Sequence, residues 1–198
     1  MPRLIDHDAR TREIAAASLR VLERDGLAGL SVRGVADEAG IAVASLRRTF
    51  PTQHALREHC LLLIDQRVSA RIAGLGGHFS GRRLAEEILE QLLPLDHDRR
   101  VELLAQIQLG VLALTDARLH DSVLRLNRGV AAACRACIEL LREAGDLGAG
   151  RDPGLEAERL HALLDGAALH AVWGGDDDAE AARRLVVAHL DDIPRRPR

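Results

Sequence analysis

The chain has 198 residues, 47% of them apolar and 29% charged, enough for one or two ordinary domains with a real core. The longest apolar runs, such as Cys60 to Ile64 and Gly110 to Leu114, are too short to cross a bilayer, so no membrane partner is expected. Three cysteines are too few for a disulfide framework and the first eight residues carry no apolar leader, which points to the cytoplasm.

The net charge of −3 excludes a uniformly basic protein but conceals an asymmetry. All 27 basic residues are arginine. Between Leu30 and Arg57, Arg33, Arg47, Arg48 and Arg57 face Asp37 and Glu38, a local +2 on a body of −5. A small basic patch on an acidic body suits a protein that meets an anionic partner with one face. Aromatic residues make up 2% and tyrosine is absent, so leucine and alanine must build the core, which favours helices.

Strand alternation and hairpin turns are lacking, whereas helical spacing recurs between Gly and Pro breaks, and the fold class is read as all-α. A first helix is predicted over 8–24, its inner face carrying Ile14, Ala17, Leu19, Val21 and Leu22, and Asp25-Gly26 should end it. Ser31 can cap a short helix over 32–39, which Gly40 stops, and a second short helix follows over 43–49. Two short helices joined by a tight Gly-containing turn read as a helix-turn-helix. Pro51 disfavours helix at Phe50, and Thr52 can cap a longer helix over 53–73.

The Gly-rich run from Gly74 to Gly81 is the clearest loop. Beyond it, helices are predicted over 82–93, 99–115, 119–144, 154–173 and 177–193, about nine in all. They are divided by Pro94, Asp116, the 145–154 segment and Gly174-Gly175. The chain is thus divided into a helix-turn-helix head (1–57), a helical body (58–193) and an Arg/Pro tail (194–198) expected to be disordered. In the 99–115 helix nearly every direction is apolar, which predicts central burial. Leu160, Leu163, Leu164, Ala167, Ala168, Ala171 and Val172 form one apolar stripe, and Ala182, Leu185, Val186 and Ile193 another. Such helices can cover their own body or pair with a second copy as a four-helix bundle.

The stretch from Arg12 to Leu56 resembles the DNA-binding domain of TetR-type repressors. The residues that carry the likeness are Arg12, Ile14, Ala16-Ala17, Gly26, Leu30-Ser31-Val32, Val35-Ala36, Ala39-Gly40-Ile41, Ser45-Leu46, Phe50-Pro51 and Leu56. Leu164-Asp165-Gly166-Ala167-Ala168-Leu169 looks like the Asp-Gly motif of members with a betaine-pathway-repressor-like C-terminal domain. The resemblance implies a three-helix head on a helical ligand-binding and dimerisation domain. It also implies a homodimer, joined through 154–173 and 177–193, that grips double-stranded operator DNA. A small effector would shift the 53–73 helix and spread the two heads. One departure stands out: where the family commonly has Leu-Tyr-x-Tyr-Phe and then Lys, this chain has Leu46-Arg47-Arg48-Thr49-Phe50 and then Gln53.

A recognition helix needs a low profile at its start so that its backbone can enter the major groove, and Ala42, Val43, Ala44 and Ser45 supply one. Ala44, Ser45 and Arg48 are expected to face bases, with Arg33, Arg47, Thr49, Gln53 and His54 holding the phosphate backbone. Arginine at 47 and 48 offers charged, bidentate donors where phenols would otherwise stand. Leu46 and Phe50 are expected in the core.

For the body, two readings stay open: a solid core, or an aliphatic cavity for a small apolar effector. The cavity would have Glu102, Gln106 and Gln108 as polar anchors and Cys137, His161, Asp165 and Trp173 as wall residues. Cys134-Arg135-Ala136-Cys137 has CxxC spacing, but no second pair accompanies it, so a packing face is preferred to a redox switch. The nine histidines are scattered, no catalytic triad or phosphate-cradling loop is found, and neither enzyme activity, metal nor cofactor is expected. The reading is a DNA-binding transcriptional regulator, most simply a ligand-released homodimeric repressor. The competing reading is a helical scaffold or small-molecule carrier that does not bind DNA.

Overall fold

The computed structural model describes residues 7–174 and 176–193. The 194–198 tail and Gly175 of the expected Gly174-Gly175 break lie outside the described residues. Among these the chain is helical throughout. The helices are α1 (His7–Gly29), α2 (Val32–Glu38), α3 (Val43–Thr49), α4 (Gln53–Ala73), α5 (Gly81–Glu90), α6 (His97–Ala113), α7 (His120–Glu143), α8 (Pro153–Trp173) and α9 (Asp176–Asp192), with a 3₁₀ turn at Ala117–Leu119.

Local chemistry sets the boundaries. The Ser31 hydroxyl accepts the Gly34 amide at 3.0 Å and starts α2. Gly40, at φ 64°, ends it: the Gly40 amide bonds to the Asp37 carbonyl at 3.2 Å and the Ile41 amide to Ala36 at 3.0 Å. That pair of bonds needs a left-handed residue, which glycine adopts without steric cost. The Thr52 hydroxyl accepts the Ala55 amide at 3.1 Å. Asp152 caps α8 through the Leu155 amide at 2.7 Å, and Pro153 takes the first helical position, one residue earlier than expected.

Asp25-Gly26 ends the first helical stretch as expected: Gly26, at φ 64° and ψ −163°, is non-helical, and a second short stretch carries α1 on to Gly29. One expectation is corrected. The helix at 99–115 is not buried on all sides. Val101, Ala105, Leu109 and Ala113 form a single buried line, whereas Val111 is 62% and Leu114 84% exposed. Its composition is apolar all round, but Val111 and Leu114 lie outside its packed sides.

The chain divides into two compact units, and the division is discontinuous in sequence. The first comprises residues up to Gln66 together with Leu104–Arg125; the second comprises Arg67–Leu103 and the residues from Leu126 onward. The expected boundary at 57/58 placed 104–125 wholly in the body. In the structure the Gln108 side-chain amide donates to the Leu22 carbonyl at 3.2 Å, and the Ser122 hydroxyl donates to Glu58 at 3.4 Å. These are contacts a linear reading has no means of finding.

In the first unit α1 packs on α2 and α2 on α3. Ile14, Leu22, Leu30, Val35, Leu46, Phe50 and Leu56 fill its core, each large buried side chain contributing about 1.5–3 kcal/mol. Arg20 and Arg24 of α1 both donate to Glu38 at the end of α2, at 2.8 and 2.7 Å. These hydrogen bonds, that from Arg20 first, hold the Glu38 carboxyl below its ordinary range. In the second unit α5, α7, α8 and α9 enclose a Leu/Ala/Ile core that includes Leu89, Ile138, Leu160, Leu164, Val186 and Leu190. Arg100 of α6 caps the end of α8, donating to the carbonyls of Ala171, Val172 and Gly174. It thereby satisfies acceptors that helix geometry leaves unpaired, at the negative end of the helix dipole.

Ser31→Ala is expected to cost about 1 kcal/mol of unfolding free energy, read from the urea midpoint. Because the native Glu38 carboxyl is depressed, the unfolded chain takes up its proton first as the pH falls. The stabilisation is therefore complete above pH 4.5 and is lost below it. Glu38→Gln should flatten that acid limb in thermal melts recorded between neutral pH and pH ~3.

Candidate nucleic-acid interface

The α2–turn–α3 segment places the expected contact residues on the outside of the first unit. Ala44, Arg33, Arg47, Arg48 and Gln53 are exposed, and Ser45, Thr49 and His54 are half-buried. Leu46 and Phe50 are buried, as their spacing required. The expected base-facing set, Ala44, Ser45 and Arg48, thus shares one short helix with its core anchor, Leu46.

Charge pairing separates the arginines into two groups. Arg20 and Arg24 are tied to Glu38, whereas Arg33, Arg47 and Arg48 form no ion pair among the described residues. An exposed guanidinium without an acid keeps its charge, and most of its donors, for a phosphate or a base edge. Gln53 uses its side-chain NH₂ on the Leu30 carbonyl at 2.6 Å, pinning the start of α4 beside the start of α2. His54 sits 3.5 Å from the Glu58 carboxylate.

One participant escaped the sequence reading. Arg10 of α1 donates from Nη2 to the Ser45 hydroxyl oxygen at 2.8 Å, across 35 positions of sequence. Arg48 Nη2 donates to the same oxygen at 3.2 Å. Arg10 lies ahead of the residues that carry the family likeness, and no local motif marks it.

The residues expected around an effector are dispersed. Glu102 is 3% exposed, and its carboxylate is held by Arg67 at 3.3 Å and Arg71 at 2.9 Å, both on α4. Gln106 is half-buried and, with Gln108, falls in the first unit. Glu102, Cys137, His161, Asp165 and Trp173 fall in the second. Cys137 is in the core with its Sγ 3.6 Å from the Ala85 carbonyl. His161 and Asp165 face each other one turn apart at 3.3 Å, and burial raises the Asp165 carboxyl. Trp173 is 73% exposed. An open cavity of about 350 Å³ at Gly77, His78, Phe79, Ser80 and Arg83 contains none of these residues. The two cysteines of the CxxC are buried free thiols, and burial pushes Cys134 up to about 12 and Cys137 higher still, which suits packing and not redox exchange. Among the described residues no cluster of metal-binding side chains occurs, and no helix is long and apolar enough to cross a membrane.

The family model for bacterial regulatory proteins of the tetR family matches residues 12–60, and that for the C-terminal domain of BetI-type transcriptional repressors matches residues 81–195. The HTH-type transcriptional regulator PksA of Bacillus subtilis is 30% identical over 195 residues, 98% of this chain and 94% of that protein. A TetR transcription regulator from Haloarcula marismortui superposes with a TM-score of 0.82 at 22% identity, covering 94% of this chain and 98% of that one. A transcriptional regulator from Saccharomonospora viridis in complex with choline gives 0.75 at 19% identity, with 93% and 96% covered.

Arg48→Ala is expected to cost about 1–3 kcal/mol on the preferred duplex and much less on random sequence. Fluorescence anisotropy on both duplexes checks this, and equal losses would move Arg48 from the base-reading set to the phosphate set.

Proposed function

Because the chain belongs to the TetR family of bacterial regulatory proteins, and is thereby a DNA-binding transcriptional regulator, we propose that it works as a homodimeric repressor released from its operator by a small aliphatic effector. Residues 1–57 read DNA, and residues 58–193 pair the two copies and hold the effector. The observation that carries the DNA-binding assignment to particular side chains is the acid-free trio Arg33, Arg47 and Arg48 beside a small-residue helix start. Arg33, Arg47, Thr49, Gln53 and His54 grip phosphates, and Ala44, Ser45 and Arg48 meet base edges.

The apolar stripe of α8 faces its own core: Leu160, Leu164, Ala167, Ala168 and Ala171 are all buried within the chain. What remains for a second copy is the opposite face. On α8, Leu155, Ala162, Gly166, Leu169 and Trp173 recur at helical spacing, and on α9 Ala181, Leu185 and Ala188 do the same, none of them buried. Small residues between large exposed apolar ones let two helix pairs approach closely around a two-fold axis, giving a four-helix bundle.

The effector site draws on the second unit, with Glu102, His161 and Asp165 as polar groups and Cys137 in the wall. A quaternary ammonium of the choline type is usually held by aromatic faces. Here the aromatics are one Trp and two Phe, with Phe50 in the head core and Trp173 at the surface. The Glu102 carboxylate is already neutralised by two guanidinium groups. Both facts favour an aliphatic, uncharged effector. Disturbing Glu102 acts directly on α4, which carries Arg67 and Arg71 in the second unit and begins at Gln53 in the first. A small displacement suffices, because two heads must match half-sites about 34–36 Å apart, or multiples of that.

Light scattering should show a dimer at micromolar concentration, and Leu185→Glu should shift it towards monomer. Selection from a random duplex pool should return a palindrome, with affinity falling steeply as salt rises. A chain that stayed monomeric and bound no duplex at low salt would instead be the helical carrier.

A further inference from the structure

A serine hydroxyl has one proton to donate and two lone pairs that accept. At Ser45 both lone pairs face guanidinium donors, Arg10 Nη2 at 2.8 Å and Arg48 Nη2 at 3.2 Å. Arginine stays protonated and has no acceptor, so neither partner can exchange roles with the hydroxyl. Among the described residues no protein group takes the Ser45 proton. Ser18 behaves differently, donating to the Ile14 carbonyl one turn back at 2.9 Å. The two arginines are also unequal. Arg48 is exposed and keeps further donors for the duplex, whereas Arg10 is half-buried and its Nε is shut off from solvent.

We propose that Arg10, which lies outside the helix-turn-helix, is a specificity-determining residue: by occupying the Ser45 oxygen it commits that hydroxyl to donating, and so selects a keto base at one position of each half-site. In the major groove guanine O6 and thymine O4 accept, whereas adenine N6 and cytosine N4 donate. A donating hydroxyl complements the first pair and opposes the second. A free serine would accept from the amino bases as readily as it donates to the keto ones. The inference rests on the reading that α3 enters the groove with Ser45 at a base edge.

The test uses the full-length protein, a random duplex pool, and anisotropy on duplexes varied at the position that Ser45→Ala relaxes. The wild type should prefer guanine or thymine there by about five- to tenfold over adenine or cytosine, the discrimination of one well-placed hydrogen bond. Arg10→Met should bring the four bases to within about twofold at that position and leave the others unchanged, and Arg10→Lys, which keeps a donor, should restore part of the preference. Circular dichroism confirms that each variant is folded. If Ser45→Ala relaxes one position but Arg10→Met leaves it intact, or weakens all sequences alike, the Arg10 assignment is wrong while the reading helix stands. A preference for purines regardless of keto or amino character overturns it as well. If Ser45→Ala shifts no position, both the assignment and the placement of Ser45 at a base edge fall.

Discussion

In a chain without lysine, every cationic task falls to arginine, and the neighbouring carboxylates decide which task each one performs. Arg20 and Arg24 are held by Glu38 and join α1 to α2; Arg67 and Arg71 are held by Glu102 and join α4 to α6. Among the described residues Arg33, Arg47 and Arg48 have no acid partner. Pairing neutralises a guanidinium and fixes its direction, whereas leaving it unpaired on the surface preserves a planar fork of donors suited to phosphate. The arginines thus divide into paired and unpaired groups, and the acid-free group gives a protein of net charge −3 a local basic patch.

The Glu102 cluster shows the same logic inside the molecule. A carboxylate this deeply buried is tolerated only because two charged donors meet it. Removing both arginines would strand the charge, so α4 and α6 are coupled by an arrangement with few alternatives.

Helices α8 and α9 each carry two apolar faces of different character. The inward face is leucine and alanine packed into the core, and the outward face alternates leucine or tryptophan with alanine and glycine. Periodicity alone sees a continuous stripe and assigns it to core or partner as alternatives. The packed chain shows that the stripe is spent on its own core, leaving a second, sparser apolar stripe outside it.

Local signals made most of the fold legible in advance. Ser31, Gly40 and Thr52 act within a few residues of where they stand, so capping and turn chemistry placed α2, α3 and α4 to within a residue or two. The same holds for Leu46 and Phe50, whose burial follows from spacing on short elements. What lay beyond the sequence were relations across long separations. Arg10 reaches Ser45, Gln108 reaches Leu22, and Glu102 finds two arginines more than thirty residues away on α4. Composition could say that α6 is apolar but not which side has neighbours, because burial depends on what else the chain brings there. The sequence by itself thus determined the elements and the chemistry each one carries. Only the tertiary structure decided which charges are cancelled and which stay unpaired, since cancellation depends on distances in space that residue spacing does not encode.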